Sequence, residues 1–552
     1  MSNFVSPEDW PEGLLREPFE EPYGPDWDDL TPAEPRHPPR PSRLETTDLA
    51  ALFGPEGALA ATLEGYEQRP SQVQMAEAVK QAILERRTAI IEAPTGTGKS
   101  IAYLLPAILS GRTVVVATAN KSLQNQLYTK DIPFLSQVLG EKIDAVVVKG
   151  RSNYICTYKW EQEEPIRRQM AFYEGQEDEQ INHLRTWIEE TETGDVDDLP
   201  FMLPGDLRPK IVSYPDDCLH RDCRHYYERC FVNWMRERAR DAQVIITNHH
   251  LLLNALELGE VGKALLPEAS IYVIDEAHGL EATATAVFDV EVSDFTLPQL
   301  LGRAVFKQHV DEDRLDELRF QNSLAFSELE RLGDGNIFRL EEDLEEFKRL
   351  ATNLTALLDD LRRANPYAQE EEKKGGKKKE ESAEEAEARA AYEQALSTLS
   401  GLIEKLKQVA SSKHDGQVVR YVERVYSRQV RMRVHAAPVD PSPLLRKYLF
   451  DEKERTVICT SATLATNGHF GLFRSRCGVD EDPIELIVDP VFDYPRQALL
   501  YQPSLPSYNW RAKERYYDAV AGEIERLLEV SRGRALCLFT NWSGLQQVQE
   551  RL

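Results

Sequence analysis

The sequence contains little cysteine and no long apolar run. Seven cysteines in 552 residues argue against a disulfide framework, which small secreted domains use in place of a large core. No run approaches the roughly 18 apolar residues that a membrane-spanning helix needs, and no charged-then-apolar leader is recognisable. We therefore expect a protein of the reducing cytoplasm, without a membrane partner and long enough for about three domains.

A basic excess is also absent. The formal net charge is -27 at pH 7, whereas a protein that binds nucleic acid needs clustered Lys and Arg to contact phosphates. Residues 1–50 carry twelve acids against four Arg, and residues 161–200 carry thirteen acids against three Arg. Because these two stretches hold most of the negative charge, the remaining chain has room for a local basic groove.

Alternating apolar strands and amphipathic helices predict the architecture. Residues 1–45 are rich in Pro and acid without an apolar period, so we predict a disordered tail there. Beyond the tail, strand and helix patterns alternate, which is typical of a doubly wound parallel α/β sheet. In our interpretation three stretches build this first domain, namely residues 46–150, 240–290 and 436–480.

Three further stretches interrupt or follow that domain. Residues 151–239 contain four of the seven cysteines and form a first insertion. Residues 291–435 predict a helical insertion, with an almost continuous helical period from about 290 to 415 and a mixed-charge, low-complexity run at residues 369–389. A strand pattern returns after it, at VVRYVERVYSRQVRMRVHAAP. Residues 481–552 begin a second α/β domain, with strands predicted at ELIVDP, QALLYQP and ALCLFT.

A glycine-rich turn, EAPTGTGKS, joins an apolar strand to an amphipathic helix. Its glycines let backbone N–H groups point at phosphate oxygens, and the N-terminus of the helix adds partial positive charge. In such a turn Lys99 reaches the β and γ phosphates of ATP, and the Ser100 hydroxyl binds Mg²⁺. The first glycine of the strict motif is replaced by Ala93, which we interpret as a helicase-type variant. The predicted nucleotide-binding residues of the turn are Thr95, Gly96, Thr97, Gly98, Lys99 and Ser100.

The segment VIDEAH follows about 180 residues later, at the end of another apolar strand. We predict that Asp275 holds the Mg²⁺ and that Glu276 orients and deprotonates the attacking water. Alone, this segment is compatible with an ordinary polar strand end. Together with Lys99 it predicts hydrolysis of a nucleoside triphosphate.

The combination of EAPTGTGKS, DEAH and TSATL resembles superfamily 2 helicases, and more closely the XPD-related DinG branch of DNA helicases. The stretches RPSQVQM, TANKSLQNQL, KGRSNYIC, TNHHLLL and FDYPRQALLY match further motifs of this branch, from about residue 60 to the end. The resemblance implies RecA-like motor domains and a monomeric, ATP-dependent helicase. It would move 5′ to 3′ on single-stranded DNA and unwind forked DNA during repair or replication, in the bacterial cytoplasm at the nucleoid.

The resemblance also assigns roles to single residues. Gln72 would contact the adenine of ATP with help from Arg69, although a polar pair on a helix surface is an alternative interpretation. The remaining residues would couple the nucleotide state to DNA. They are His278, Thr460, Ser461 and Thr463.

Three cysteines lie in CLHRDCRHYYERC, and spacing alone does not pair them with a fourth thiol. The resemblance implies that they hold a [4Fe-4S] cluster together with an earlier cysteine. The implied ligands are Cys156, Cys218, Cys223 and Cys230. Zinc is an alternative, because it also accepts four thiolates and His220 or His225 would suit it as a ligand. Unliganded, buried cysteines are the other alternative.

A metal site would explain how the first insertion folds. Its sequence looks too polar to form a core unaided, so we expect loss of metal to unfold it. The resemblance also places a hole for one DNA strand between this insertion and the helical one, with the strands separating at the edge of the cysteine-containing insertion.

Arginines and tyrosines alternate around the cysteines. Cations contact phosphates and rings stack on bases, so the pattern predicts a track for single-stranded DNA, with solvated arginines and core tyrosines as the alternative. The predicted contacts are Arg151, Tyr154, Arg221, Arg224, Tyr226 and Tyr227. Farther along, Arg431 and Arg433 share one face of a predicted strand, as either a charge ladder or a DNA contact.

No Q-x-x-G-R-x-x-R-like motif follows Phe539. In the family resembled here, that motif supplies an arginine that stabilises the transferring phosphoryl group. We therefore interpret the chain as an incomplete motor that binds nucleotide and DNA but hydrolyses ATP poorly. The N-terminal tail also looks too short for the exonuclease domain of some relatives. Two other functions stay open, a non-hydrolysing, nucleotide-gated fragment that binds single-stranded DNA and a zinc-containing RNA remodeller.

Overall fold

The computed structural model describes residues 40–174, 179–333, 335–367, 383–413, 416–426, 430–479 and 482–552. The chain divides into two compact units, Met1–Val491 and Phe492–Leu552. Most of the predicted tail and most of the low-complexity run lie outside the described residues. None of the described helices is long and apolar enough to span a membrane.

Two sheets organise the first unit. Its strands are β1 Ala89–Glu92, β2 Val114–Thr118, β3 Ala145–Val147, β4 Val244–Asn248, β5 Ile271–Asp275, β6 Val290–Ser293, β7 Ile337–Leu340, β8 Val418–Tyr426, β9 Val430–Pro438, β10 Thr456–Ser461 and β11 Ile484–Ile487. Seven of them form a parallel sheet in the order β11-β1-β10-β5-β2-β4-β3. The other four form an antiparallel sheet in the order β6-β9-β8-β7.

Helices connect and cover these strands. Those of the first unit are α1 Leu49–Leu52, α2 Ala58–Thr62, α3 Pro70–Glu85, α4 Lys99–Leu109, α5 Lys121–Gln126, α6 Ile132–Leu139, α7 Thr157–Glu174, α8 Glu179–Glu190, α9 Arg208–Ile211, α10 Phe231–Asp241, α11 His249–Glu257, α12 Glu260–Leu265, α13 Leu280–Val287, α14 Thr296–Leu301, α15 Ala304–His309, α16 Glu312–Leu332, α17 Glu345–Arg363, α18 Ala383–Ala410, α19 Ser442–Leu445 and α20 Gly471–Cys477. A π-helical turn, Leu127–Asp131, separates α5 from α6.

Both faces of the parallel sheet are buried. Along β2, for example, Val114 and Val116 join the core that α3 and α4 cover, while Val115 and Ala117 join the core on the opposite face. Alternate side chains of a strand point to opposite faces, so a strand that is apolar throughout must be covered twice. The predicted parallel α/β fold class is therefore confirmed.

Two predicted boundaries of the first domain differ from the structure. Leu44 is fully buried in the core beside α3 and α4, although the tail was predicted to continue to residue 45. At the other end, β11 pairs with β1 in parallel, although residues from 481 onward were assigned to the next domain. In both places a short apolar stretch completes a core that distant residues build, so local composition did not reveal it.

The cysteine-containing insertion has an apolar core of its own. Trp160 of α7 and Ile181, Leu184 and Ile188 of α8 are all buried, and they are continuous with one face of the parallel sheet. The prediction that this insertion is too polar to pack was therefore wrong. Its apolar residues are few, but their i, i+3, i+7 spacing collects them on one face of α8.

The second insertion is not purely helical. Helices α14 to α18 pack against the four-stranded antiparallel sheet, and together they enclose a separate core. The nearly continuous helix predicted there was interrupted by β6 and β7, which are only four residues long each. Such short strands leave little periodic signal in the sequence.

The second unit contains helices and extended segments. Its helices are α21 Tyr494–Gln497, α22 Lys513–Ser531 and α23 Trp542–Gln549. The strands predicted at QALLYQP and ALCLFT are not formed, and Leu500 and Leu538 are 97% and 86% exposed. A strand needs a hydrogen-bonded neighbour, and the described residues of this unit supply none for either segment.

Candidate functional site

The glycine-rich turn connects β1 to α4 at the carboxyl edge of the parallel sheet. Gly96 and Gly98 have φ angles of 86° and 81°, in the left-handed region that glycine adopts without strain. A Cβ atom at Gly98 would lie 2.3 Å from the Gln72 amide nitrogen, so a larger residue would displace that amide as well as strain the backbone. Thr95 is exposed at the tip of the turn, and Lys99 begins the helix.

Two residues of the RPSQVQM segment brace this turn. The Arg69 guanidinium donates a hydrogen bond to the Gly96 carbonyl at 2.6 Å, and the Gln72 amide donates to the Gly98 carbonyl at 3.0 Å. Thr97 is buried, and its hydroxyl donates to a carbonyl within the turn at 2.7 Å. These three hydrogen bonds fix the backbone conformation of the glycine-rich turn. The adenine contact expected of Gln72 stays a prediction.

The three sequence motifs meet at Glu276. Its carboxylate lies 3.5 Å from the Lys99 ammonium and accepts a hydrogen bond from the Ser461 hydroxyl at 2.8 Å. His278 Nδ1 is 2.7 Å from the same hydroxyl. Glu276 has a φ of 56°, an uncommon left-handed conformation for a residue with a side chain. The backbone therefore turns sharply at the end of β5 and carries this carboxylate across to β10.

Asp275 is the last residue of β5 and is buried. Its carboxylate accepts hydrogen bonds from the Tyr103 hydroxyl at 3.2 Å and from the Glu276 backbone N–H at 3.1 Å. Burial, followed by the charge of Glu276, raises the pKa of Asp275 to about 6, and Lys99 opposes this rise. Ser100, in the first turn of α4, interacts with the carboxyl of Asp131. The Asp275 and Glu276 carboxyls and the Ser100 hydroxyl thus lie around Lys99, and they are oxygen groups of the kind that bind hydrated Mg²⁺.

Glu92 joins the glycine-rich turn to the TSATL segment. One of its carboxylate oxygens accepts the backbone N–H groups of Leu464 and Ala465 at 2.6 and 2.7 Å. Thr460 is fully buried in β10 with an unpartnered hydroxyl, whereas Thr463 is exposed. Of the coupling residues expected from the resemblance, His278 and Ser461 therefore contact the predicted catalytic carboxylate.

Sequence reasoning missed three residues of this site, Glu92, Tyr103 and His249. His249 is buried and its Nε2 donates to the Asp275 carbonyl at 2.8 Å. Only Tyr103 had a usable signal, because four residues separate it from Lys99 and place both on one face of α4. Glu92 contacts a segment about 370 residues away in the chain, which no local pattern reveals.

The four predicted cysteine ligands lie together in the first insertion. Burial raises the pKa of Cys156 to about 11 and that of Cys223 to about 12, and the nearby thiols raise both further. Burial and Cys218 likewise raise the pKa of Cys230. Because the pKa values of Cys156, Cys223 and Cys230 are raised, these three thiols need a cationic centre to become thiolates at neutral pH.

Two buried arginines adjoin the thiols. Arg151 and Arg236 are each 9% exposed, and burial together with the charge of Arg151 lowers the pKa of Arg236. The same two cations, after burial, lower the pKa of His220 to about 3. After burial and Arg151, the groups with the largest electrostatic effect on Arg236 are Cys218, Tyr226 and Cys230. A buried cation needs an anionic neighbour, so this arrangement fits an anionic group at the cysteines.

The zinc alternative stays open. The described part of the chain contains no group of three or more His, Cys, Asp or Glu side chains spaced to hold one ion. His225, one of the alternative zinc ligands, lies 2.8 Å from Glu161 instead.

Comparison with known proteins decides the family. The DEAD/DEAH box helicase family matches residues 71–163, and the DEAD_2 family matches residues 219–297. The ATP-dependent DNA helicase YoaA of Escherichia coli (strain K12) is 30% identical over 519 residues, which cover 90% of this chain and 75% of that relative. The chain belongs to the DinG/XPD-related superfamily 2 helicases.

Other members of this helicase family match at lower identity. YoaA of Haemophilus influenzae is 27% identical and covers 91% of this chain and 76% of its own. The 3'-5' exonuclease DinG of Bacillus subtilis (strain 168) is 28% identical, over 90% of this chain and 57% of its own. A solved XPD helicase chain covers 88% of this chain and 75% of its own, at 14% identity and a TM-score of 0.44.

Two of the predicted DNA contacts of this DinG/XPD-type helicase are inside the protein. Tyr154 is 3% exposed and Arg151 is 9% exposed, so neither lies on an open surface where a DNA strand would pass. Packing of the insertion against the parallel sheet buries both. The alternation of Arg and Tyr had predicted surface positions, and for these two residues it was misleading.

The other four predicted contacts are at least partly accessible. Arg221 and Arg224 are exposed, Tyr227 is 71% exposed, and Tyr226 is half-buried with its ring against that of Tyr227. Arg224 is already engaged, because its guanidinium lies 3.1 Å from the Glu161 carboxylate. For these four residues, contact with a DNA strand stays a prediction.

Arg431 and Arg433 form a ladder with acids of the neighbouring strand and turn. Arg433 lies 3.5 Å from Glu291 of β6, and Arg431 lies 3.9 Å from Asp294. Opposite charges on paired strands stabilise a sheet modestly. The geometry therefore favours the ladder interpretation of these two arginines.

Proposed function

We propose that this chain is an ATP-dependent DNA helicase that moves 5′ to 3′ on single-stranded DNA and unwinds forked DNA as a monomer. The observation that carries this proposal is the contact of Lys99, Ser461 and His278 around Glu276. One carboxylate thereby links the phosphate-binding turn to the segment expected to communicate with DNA. The names of the relatives, ATP-dependent DNA helicase among them, support the same activity.

The site suits hydrolysis of ATP with Mg²⁺. Lys99 would neutralise the β and γ phosphates, while Ser100 and Asp275 would hold the hydrated Mg²⁺. Glu276 would orient the attacking water and accept its proton. Glu276 also contacts Lys99, so bound phosphate would compete with this carboxylate for the lysine.

We propose that Cys156, Cys218, Cys223 and Cys230 hold a [4Fe-4S] cluster, which supplies a rigid, anionic centre when it is bound. The buried Arg151 and Arg236 support this assignment, because four thiolates on such a cluster leave a net negative charge that these guanidiniums offset. The test is the iron, acid-labile sulfide and zinc content of protein purified without oxygen. Zinc without iron would contradict the assignment.

The contact with DNA belongs to the same proposal. Arg221 and Tyr227 offer an exposed cation and an exposed ring beside the cysteines, as a track that ignores base sequence requires. Polarity is tested with duplexes that carry a single-stranded tail at either the 5′ or the 3′ end. Unwinding of the 3′-tailed duplex alone would contradict the proposed direction.

Hydrolysis of ATP is the first activity to test. We expect the full chain to hydrolyse ATP slowly, because no Q-x-x-G-R-x-x-R-like motif follows Phe539, and we expect single-stranded DNA to stimulate this hydrolysis. Lys99→Ala should abolish it, because the β and γ phosphates lose their cation. Lys405→Ala, which changes an exposed lysine of α18, is the matched control. Equal stimulation by single-stranded RNA would point to the RNA remodeller, and DNA binding without any turnover would favour the non-hydrolysing fragment.

A further inference from the structure

Asp131 brings a further carboxyl to the nucleotide site, although none of the sequence motifs includes it. It is the last residue of the π-helical turn Leu127–Asp131, which lies between α5 and α6. The Ile132 backbone N–H donates to the Leu127 carbonyl, five residues earlier. Such a turn holds one more residue than an α-helical turn, and it occurs frequently at functional sites. The local geometry therefore draws attention to the side chain at its end.

The Asp131 carboxyl is half-buried and interacts with the side chain of Ser100. Burial raises the pKa of Asp131, and the hydrogen bond with Ser100 is the largest of the effects that oppose this rise. A second, long hydrogen bond of 3.5 Å comes from the Gln126 amide. Because an ionised carboxyl only accepts hydrogen bonds, the Ser100 hydroxyl is the donor.

Other acceptors near Ser100 are engaged elsewhere. A helical serine commonly donates to the carbonyl four residues earlier, which here belongs to Gly96 and already accepts a guanidinium hydrogen bond at 2.6 Å. The two carboxylate oxygens of Asp275 accept hydrogen bonds from other groups at 3.2 and 3.1 Å. Asp131 is thus the acceptor that the fold supplies for the proton of Ser100.

The direction of this hydrogen bond decides what the Ser100 oxygen offers to a cation. A hydroxyl carries one proton and two lone pairs. When the proton points to Asp131, the lone pairs point away from that carboxylate and are available to Mg²⁺. Groups that orient a metal ligand in this way matter almost as much as the ligand, and their loss typically lowers metal affinity by about 10–100-fold.

We propose that Asp131 is a positioning residue for Mg²⁺, which holds the Ser100 hydroxyl with its proton turned away from the ion. The inference deepens the proposed function and rests on it, because it requires a nucleotide and Mg²⁺ at the glycine-rich turn. Asp131 acts through Ser100 and does not bind the ion itself.

The Mg²⁺ dependence of ADP binding tests this role. A fluorescent ADP analogue is titrated onto the full chain in EDTA and at a series of free Mg²⁺ concentrations. We expect Asp131→Ala to raise the Mg²⁺ concentration of half-maximal effect about tenfold, while the affinity in EDTA stays within about twofold. Asp131→Asn keeps an oxygen acceptor and should show a smaller shift. Thr129→Ala, at an exposed residue of the same turn, is the control and should match the wild type.

Ser100→Ala separates positioning from direct binding. Without the hydroxyl, Asp131→Ala should cause no further shift in the Mg²⁺ dependence. A further shift of about tenfold in the double variant would show that Asp131 acts on the ion without Ser100, and it would overturn the inference. A loss of ADP affinity that is equal in EDTA and in Mg²⁺ would also overturn it, because a residue that merely supports the turn weakens binding in both.

The proposed function can fail separately. An unchanged Mg²⁺ dependence of Asp131→Ala, in a chain whose wild type unwinds DNA, would overturn the inference alone. The expected shift in a chain that binds Mg-ADP but unwinds no DNA would remove the proposed function and leave the role of Asp131 intact.

Discussion

At the scale of single residues, Asp275, the predicted ligand of Mg²⁺, shows how a buried carboxyl opposes folding. Its pKa is raised to about 6 by burial and by the charge of Glu276, so the folded state binds the proton more tightly than the unfolded chain does. The free energy of unfolding therefore falls as pH rises from about 4 to 6, and the full cost is present at neutral pH.

Asp275→Asn should remove this cost. In metal-free protein we expect the free energy of unfolding to increase by about 3 kcal/mol at pH 7.5 and by about half of that at pH 5, since one pKa unit corresponds to about 1.4 kcal/mol. Chemical denaturation in EDTA measures both values, with the exposed Asp489→Asn as control. A gain that does not change between the two pH values would refute the explanation by burial.

Glu92 allows the link between motifs to be tested separately from nucleotide binding. Glu92→Ala leaves the backbone N–H groups of Leu464 and Ala465 without their acceptor, a loss of about 1–3 kcal/mol. We expect stimulation of ATP hydrolysis by DNA to fall at least fivefold, while the affinity for a fluorescent ADP analogue stays within twofold. Glu92→Gln, which keeps an oxygen acceptor, should restore part of the stimulation. A parallel loss of ADP affinity would show that Glu92 merely supports the turn.

Motif chemistry predicted Lys99, Ser100, Asp275 and Glu276 as neighbours, because each motif is read at the end of a strand and parallel strands end at one edge. It did not predict that Ser461 of β10 and Lys99 hold Glu276. That detail depends on the pairing of β10 with β5, and strand order is a property of the whole sheet rather than of a local pattern.

At the scale of elements, the cysteine-containing insertion consists of two parts with different supports. Residues 179–211 include α8 and contribute Ile181, Leu184 and Ile188 to the main core. Residues 213–230 contain only short turns and three of the cysteines. We therefore revise the expectation that loss of metal unfolds the whole insertion.

Cys223→Ser should release iron and loosen only the second of these parts. We expect faster amide hydrogen exchange in residues 213–230, with little change in α8, because apolar burial stabilises α8 independently of any metal. Cys537→Ser, at an exposed cysteine, is the control. Fast exchange along α8 would show that the whole insertion depends on metal for its folding.

The helical period correctly located α16, α17 and α18, which have long amphipathic patterns. It failed at β6 and β7, where four residues do not complete a period that can be told from a helix turn. The average polarity of the insertion was also misleading, because composition does not record which side chains share one face of a helix such as α8.

At the scale of the whole molecule, the end of the first unit can be tested by truncation. A chain that ends at Val491 keeps β11 in the parallel sheet and keeps Val488, which is 2% exposed. A chain that ends at residue 480, the predicted boundary, loses both. We expect the shorter chain to unfold at lower denaturant concentration, with a free energy lower by about 3 kcal/mol from lost apolar burial and pairing. Equal midpoints would mean that β11 is dispensable.

The fold class was predictable from the sequence, but the order of the strands was not. Apolar strands that alternate with helices specify a parallel sheet covered on both faces. Nothing local specifies that β10 lies between β1 and β5, because that choice depends on which strands complete the two cores best.

The position of β10 between β1 and β5 has a consequence for synthesis on the ribosome. β1 ends at Glu92, whereas β10, which pairs with it, ends only at Ser461. At a rate of synthesis of about 5–20 residues per second, β10 is made about 20–70 s after β1. Until then, one edge of β1 and one edge of β5 lack the strand that pairs with both. During that time the nascent chain offers unpaired strand edges to any other chain nearby. Yield in cells should therefore depend on chaperones that bind nascent chains, more than the stability of the finished protein would suggest.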